Sequence, residues 1–361
     1  MAETPNLIRP VCLGAVALAG NLVLAPMHEH THLVLRRLAR RCGAALAHTE
    51  MVTPEDLLAG PSEEELRKHP PPGYDPASGK VPAGTLSYKA RNILASTAED
   101  RPLAVQLLPR EPGSLAQAVA MVASHGAADL VDLNFACPSE RVVKCGRGGA
   151  MLRRPSTALR LVEAAVGASR LPVTLKMRTG FADTTAARAR ALDIAREAAA
   201  VGIAGLTLHA RTVGQGYSGK AAWPEIARWA EALAPLPLFG SGDLRSPEAV
   251  VTMLRETRAA GASIARGALG SPWIFRQVIE LATTGRYEPV TLRERRNTIL
   301  EEFDGLAQQY GETVAVRFMR LFGKYYAHGL RKASAIRAAF QEARTAATLR
   351  ETVERWFGEG Q

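Results

Sequence analysis

A cysteine closes the apolar run Asp132-Leu133-Asn134-Phe135-Ala136-Cys137-Pro138, and the glycine-rich stretch Gly146-Arg147-Gly148-Gly149 follows it. Pro138 lacks the N–H that a continuing sheet or helix interior needs, so a strand must stop there. A thiol at such a strand end points into whatever cavity the strand mouth forms, beside an asparagine able to read an amide-like ring. Free cysteine is also among the most often buried residue types, so simple packing is the plain alternative. Further along, Lys176-Met177-Arg178 and His209-Ala210-Arg211 offer cations and an imidazole. Gly240-Ser241-Gly242-Asp243 and Ala265-Arg266-Gly267-Ala268-Leu269-Gly270 are small segments whose amides can approach a phosphate closely. Singly, each has a bland reading: a turn, a solvated strand edge, a packed histidine. Their weight comes from where a fold would put them together.

That fold is legible as alternation. Short β-branched or apolar runs at 22–25, 45–49, 103–107, 130–134, 173–178, 205–209, 236–240 and 262–266 predict eight strands. Helix-period segments lie between them at 31–41, 114–124, 156–168, 185–200, 224–233 and 247–257, with Ser114, Ser156 and Ser246 as expected caps. Eight strands with intervening helices predict an α/β architecture, a (β/α)8 TIM barrel. In that barrel, functional groups gather at the C-terminal strand ends. Strand one ends in Pro26-Met27, strand two in Glu50-Met51, strand three in Gln106, and strand four in Asn134 and Cys137. Strand five supplies Lys176 and Arg178, strand six His209 and Arg211. The two glycine-rich segments follow strands seven and eight, the usual phosphate site of the fold.

Residues 54–86 carry seven prolines, and the span reads as a mobile insertion after the second strand. Strand signals vanish beyond about residue 290. The expected organisation is a barrel over 1–288 and an all-helical domain over 289–361.

The chain has 361 residues, 47% of them hydrophobic, enough for a full core. Its cysteines are Cys12, Cys42, Cys137 and Cys145, a spread that makes neither a disulfide framework nor a Cys-x-x-Cys metal pair, so a reducing cytoplasmic setting is expected. A net charge of +10 suits a phosphate-rich partner. Residues 11–27 are apolar enough to imitate a signal peptide, but Gly14, Gly20 and Asn21 interrupt them, Glu3 dilutes the positive start, and the stretch is too short to cross a membrane. A short strand pair leading into strand one explains the same pattern. His28-Glu29-His30-Thr31-His32 spells the His-Glu-x-x-His of zinc proteases, yet it falls in a strand-to-helix turn, where both histidines cannot share a helix face. No metal is expected.

In order, Ala25-Pro26-Met27, Val105-Gln106, Asn134 through Pro138, Lys176-Met177-Arg178, His209-Ala210-Arg211-Thr212 with Gln215–Gly219, Ser241-Gly242-Asp243, and Arg266 through Trp273 resemble the motifs of the tRNA-dihydrouridine synthase family. The tail stretch from Arg317 through Lys324-Tyr325 to Gly329-Leu330 resembles that family's RNA-binding helices. The chain departs from the family pattern at His28–His32, where Ala-Gly-Val-Thr-Asp is usual, at Ser241 for asparagine, and at Ala136 for glycine. The resemblance implies FMN across the barrel mouth, held by Pro26, Met27, His28, Gln106, Lys176, His209, Ser241, Gly242, Asp243, Ala265 and Arg266. It implies NADPH as reductant and a uridine of tRNA as substrate, with Asn134, Arg178 and Arg211 binding the base. Hydride would go to C6 and a proton from Cys137 to C5. Arg317, Arg320, Lys324, Arg331 and Lys332 would contact RNA, since residues 313–341 contain no acidic side chain. A monomer is expected. Two other classes use the same features: a small-molecule flavin oxidoreductase of the dihydroorotate or dihydropyrimidine dehydrogenase type, and a non-catalytic RNA-binding relative; the RNA could also be another structured RNA.

Overall fold

The computed structural model describes residues 7–76, 78–79, 81–82 and 84–358. Glu3 and three positions of the proline-rich span lie outside the described residues. Val11–Leu13 (β1) and Val16–Leu18 (β2) form an antiparallel hairpin. Eight parallel strands follow: Leu22–Leu24 (β3), Leu46–His48 (β4), Leu103–Leu107 (β5), Leu130–Phe135 (β6), Val173–Arg178 (β7), Gly205–His209 (β8), Leu238–Ser241 (β9) and Gly261–Ile264 (β10). They close into a barrel, with β10 bonded to both β9 and β3. The expected fold is therefore present, strand for strand. Strand β9 begins two residues later than its apolar run because the Leu236 amide is used in a turn onto Leu233 and Pro237 has no N–H.

The hairpin accounts for the apolar stretch near the start. Leu13 and Leu18 pack with Val23, Leu46, Leu130 and Phe239, at the end of the barrel where the strands begin. A Cβ on Gly205, the first residue of β8, would sit 2.5 Å from the Leu13 Cδ2, so glycine there leaves room for this plug to seat. With one end plugged, the mouth at the C-terminal strand ends is where a ligand can enter.

The helix caps differ in part from expectation. Ser246 caps its helix by accepting from the Ala249 amide at 3.3 Å. Ser114 and Ser156 do not cap: those helices start earlier, at Pro112 and Pro155, behind Glu111 and Arg154. Proline fits the first helical turn, whose amides have no partner anyway, and this sets the start ahead of the serines. The proline-rich span is not a bare loop either. It holds the short helices Pro54–Leu58 and Glu63–Lys68, the second closed by a capping box between Ser62 and Glu65. Lys89 reaches Asp56 at 2.8 Å, and His69 stacks on Tyr88 at 3.8 Å, tying the span to the next helix.

Four helices make up the tail: Leu292–Tyr310, Glu312–Tyr326, Ala333–Glu342 and Ala346–Phe357. Their core includes Ile299, Phe303, Met319, Phe340 and Leu349, and it is continuous with Val34, Leu38 and Trp273 of the barrel. Among the described residues no helix is long and apolar enough to cross a membrane.

Candidate active site

At the mouth the strand ends enclose a cavity of about 370 Å³. Pro26, Met27, His28, Gln106, Asn134, Cys137, Lys176, Arg178, His209, Ser241, Gly242, Asp243, Ala265 and Arg266 all line it. The barrel thus brings together every expected cofactor and base-binding residue except Arg211. Met51, Arg245, Tyr217, His30 and Tyr325 also line the wall and were not foreseen as site residues.

One side is built around Cys137. The Asn134 side-chain oxygen accepts from the amides of Ala136 at 3.0 Å and Cys137 at 2.9 Å. Its nitrogen donates to Gln106 at 2.9 Å, and Gln106 donates to Asp132 at 2.6 Å. Asn134 is thereby a brace for the cysteine turn rather than a free reader of a base. The Arg178 guanidinium donates to the carbonyls of Ala136, Thr212 and Gly216, so it too is mainly a strut. The Gly146–Gly149 run buttresses the same turn: a Cβ on Gly148 would lie 3.0 Å from the Cys137 Cβ, and the Gly149 amide donates to the Cys137 carbonyl at 3.0 Å. Ala136 does not need glycine's freedom, because it is not among the residues with positive φ. Burial pushes the Cys137 thiol up, partly offset by the Ser139 amide and Arg178. A raised thiol remains protonated near neutrality and can act as a proton donor. Cys145 is exposed at the end of the short helix Glu140–Lys144.

Loops after β9 and β10 form the other side. Gly242 has φ +116° and Asp243 φ +59°, and a Cβ on Gly242 would meet Ala221 at 2.7 Å. This contour leaves the amides of Gly242, Asp243 and Leu244 without a backbone acceptor among the described residues. The Asp243 carboxylate turns away, accepting from Arg211 at 2.7 Å and from the Ala221 amide at 2.8 Å. Burial alone would raise that carboxyl, but these bonds outweigh it and hold it below the usual range. The Ser241 hydroxyl donates to the Ser263 carbonyl at 3.0 Å, and the buried Ser263 hydroxyl beside the cavity has no hydrogen-bond partner among the described residues.

Arg211, expected to bind a base, is 2% exposed and lies behind the wall. It donates to Asp243, to the carbonyls of Ser218 and Gly219, and toward His209 Nε2 at 3.3 Å. Arginine can only donate, so Nε2 is the acceptor and the ring proton sits on Nδ1. Burial, reinforced by Lys176, Arg178, Arg211 and Arg266, drives His209 down to about 2, so its ring is neutral. Burial also pushes Lys176 down to about 8, against the pull of Asp132. Its ammonium makes no hydrogen bond or ion pair among the described residues, so it is free for an acceptor on a ligand. Tyr217, 60% exposed at the rim, lies 4.7 Å from the Arg266 guanidinium and 5.5 Å from that of Arg178. Its place in the run Gln215–Gly219 was the signal in the sequence that could have marked it.

The unusual His28–His32 segment does three separate jobs. His28 leans toward Glu50 at 3.6 Å on the rim, and Glu50 also accepts the Glu29 amide. Glu29 has φ +61°, the conformation for which glycine is the easy choice. His32 caps the first barrel helix through the Leu35 amide and stacks on Phe322 of the tail, with Glu302 3.5 Å away. The two histidines of the zincin pattern therefore face different surroundings, and no cluster that could hold a metal occurs among the described residues.

The tail cations divide as well. Arg317, Arg331 and Lys332 are exposed and unpartnered among the described residues. Lys324 is exposed and lies 4.8 Å over the Tyr325 ring. Arg320 is half-buried and donates to the Gln341 carbonyl at 3.0 Å, so it fastens two helices together.

Solved structures share the barrel at low identity. A 2-naphthoyl-CoA reductase complex aligns with a TM-score of 0.54 and 13% identity, covering 78% of this chain and 52% of that one. Morphinone reductase gives 0.51 and 14%, covering 80% and 92%. Sequence relatives are nearer. A Treponema pallidum protein described as a probable tRNA-dihydrouridine synthase is 31% identical over 333 residues, covering 90% of this chain and 89% of its own length. The tRNA-dihydrouridine synthase B of Pseudomonas aeruginosa is 31% identical over 352 residues, covering 97% of both chains. A profile of the dihydrouridine synthase family matches residues 81–358. This chain belongs to the dihydrouridine synthase family, a family of flavin-dependent oxidoreductases.

Proposed function

We propose that this protein reduces particular uridines of tRNA to 5,6-dihydrouridine, with FMN in the barrel mouth and NADPH as the reductant. The observation that carries the reading is the pairing, in one cavity, of a protonated thiol with an open-amide cradle of glycine-rich loops. The residues fit a flavin mononucleotide. Free amides at Gly242–Leu244 and the Arg266 guanidinium suit a phosphate, while unpaired Lys176 and neutral His209, proton on Nδ1, suit ring carbonyl oxygens and nitrogens. A Cβ at 242 would run into Ala221 at 2.7 Å, so the loop keeps this contour only with glycine there.

Bound there and reduced, FMN would supply hydride for C6 of the uracil. Cys137 donates its Sγ proton to C5, so the ring gains one hydride and one proton overall, and the thiolate left behind is reprotonated from solvent. Asn134, braced by Gln106 and Asp132, keeps the Cys137 amide and thereby the thiol in place. A target base must leave its stack, at a cost of a few kcal/mol, and cations on the tail offset that through backbone phosphates. Those free cations favour RNA over a small-molecule substrate.

Purified protein should be yellow and bleach with NADPH, and dihydrouridine should disappear from the tRNA of cells lacking the gene. A colourless protein that takes up no FMN, or unchanged dihydrouridine maps, would overturn the proposal.

A further inference from the structure

One group in the cavity does not come from the barrel. Tyr325, near the end of the tail helix Glu312–Tyr326, lines the mouth together with His30. Its hydroxyl oxygen lies 3.2 Å from His30 Nε2, while His30 Nδ1 lies 2.7 Å from the His28 carbonyl. A carbonyl can only accept, so Nδ1 carries the proton. In the uncharged ring Nε2 then holds the lone pair, and Tyr325 must donate to it. That commits the phenol's proton and leaves its oxygen with lone pairs and no further donor.

The rest of the wall is rich in donors: Lys176, Arg178, Arg245, Arg266 and the loop amides. Side-chain carbonyl and carboxylate oxygens lining the cavity belong to Gln106, Asn134 and Asp243, and each already accepts from within the protein. Donors suit phosphates and carbonyls. A cyclic imide, with an N–H between two carbonyls, also needs an acceptor, and Tyr325 supplies one.

The tyrosine is also firmly mounted. Gly270 has φ +61°, and a Cβ there would lie 2.6 Å from the Tyr325 carbonyl carbon and the Tyr326 nitrogen, so the loop after β10 touches the tail backbone at this point. Arg295 donates to the Tyr326 carbonyl at 2.7 Å, and the Tyr326 hydroxyl donates to Glu302 at 2.8 Å. Phe322 packs on the His30 ring at 5.5 Å. Packing alone would be served by phenylalanine at 325; the hydroxyl and its histidine partner need a further reason.

We propose that Tyr325, its proton held by His30, is the tail's contribution to the reaction chamber, an acceptor for the imide N–H of the ring bound there. Uracil and the isoalloxazine of FMN both carry that group, and the inference rests on the flavin and uridine reading above.

Tyr325→Phe removes the acceptor and keeps the ring. At pH 8, where histidine is ordinarily uncharged, FMN affinity is measured by quenching of flavin fluorescence, and dihydrouridine formation is measured on a tRNA transcript with saturating FMN. A loss of about five- to tenfold is expected, the scale of one hydrogen bond, with an unfolding midpoint equal to the parent's. The loss falls on FMN affinity if the flavin is read, and on turnover with unchanged FMN affinity if uracil is read. Full affinity and full turnover in the variant would overturn the inference. So would losses in both accompanied by a lowered unfolding midpoint, which would mean a structural joint only. A parent protein that bound no FMN would overturn the functional reading, and this inference with it.

Discussion

At the barrel mouth most polar side chains are bound to other parts of the protein, whereas on the outer face of the tail several cations meet only solvent. Arg178 holds three carbonyls, Arg211 holds Asp243 and two more, and Asn134, Gln106 and Asp132 form a chain that ends at the Cys137 turn. Arg317, Arg331 and Lys332 hold nothing among the described residues. The mouth therefore works by geometry: few groups are free, each free group is placed by several bound ones, and single truncations should be costly. The tail works by summed charge, which is diffuse, screened by salt, and tolerant of single changes.

The largest expected effect tests the mouth. Cys137→Ala should leave FMN uptake and NADPH oxidation intact while slowing uridine reduction by about 10²–10⁴-fold, the usual scale for losing a general acid. Cys145→Ala should cost little. Near-parental reduction by the Cys137 variant would show that another group delivers the proton. Next in size is Gly242→Ala. It forces a side chain into φ +116° and against Ala221, and strain of about 1–3 kcal/mol would move the loop and its amides. FMN affinity should fall by roughly 5- to 100-fold on that estimate, read by equilibrium dialysis. Unchanged affinity would remove the β9 loop from the cradle.

Most of the architecture was legible because strand and helix periods differ and the strand ends could be counted. Eight strand ends gave a face, and nearly all groups assigned to that face line the cavity. What the sequence does not contain is what each side chain spends its hydrogen bonds on. Asn134, Arg178, Arg211 and Ser241 read as ligand-binding groups by type and position, yet the bonds they form point largely into the protein. Ser114 and Ser156 read as caps, but Pro112 and Pro155, which precede them, set the helix starts. Tyr325 belongs to an element more than a hundred residues from the Cys137 motif, and no local spacing could bring it to the mouth. Deleting the tail would not separate RNA recognition from flavin chemistry cleanly, because its core is continuous with Val34, Leu38 and Trp273, so truncation would expose barrel surface.

A pH profile sharpens the contrast without a mutation. Burial holds Lys176 down to about 8, so the free site sheds its proton as pH rises through that value. A ligand oxygen needs the ammonium, so FMN affinity should be full below pH 8 and decline above it, reaching roughly tenfold weaker by pH 9 if the proton is required. In Lys176→Met the overall affinity should be lower and this limb absent. An identical limb in the variant would assign the titration to another group.

The smallest effect is expected on the tail, and it separates its cations into two kinds. Arg317→Glu with Arg331→Glu reverses exposed charges that make no hydrogen bond or ion pair among the described residues, so folding stability should stay within about 0.5 kcal/mol of the parent. Affinity for tRNA should fall a few-fold at physiological salt, and the slope of log affinity against log salt should flatten by about one per side chain. Arg320→Glu should behave differently, because it breaks the link from its helix to the Gln341 carbonyl. Its cost should appear as about 1 kcal/mol of lost stability in denaturant unfolding, together with any loss of RNA binding. NADPH oxidation by the bound flavin should be untouched in the Arg317/Arg331 pair, since neither side chain reaches the mouth. Equal tRNA affinity and an equal salt slope in that pair would mean that the free cations do not face RNA, and the phosphate contacts would then have to be sought around the rim, beginning with Arg245 and Arg266.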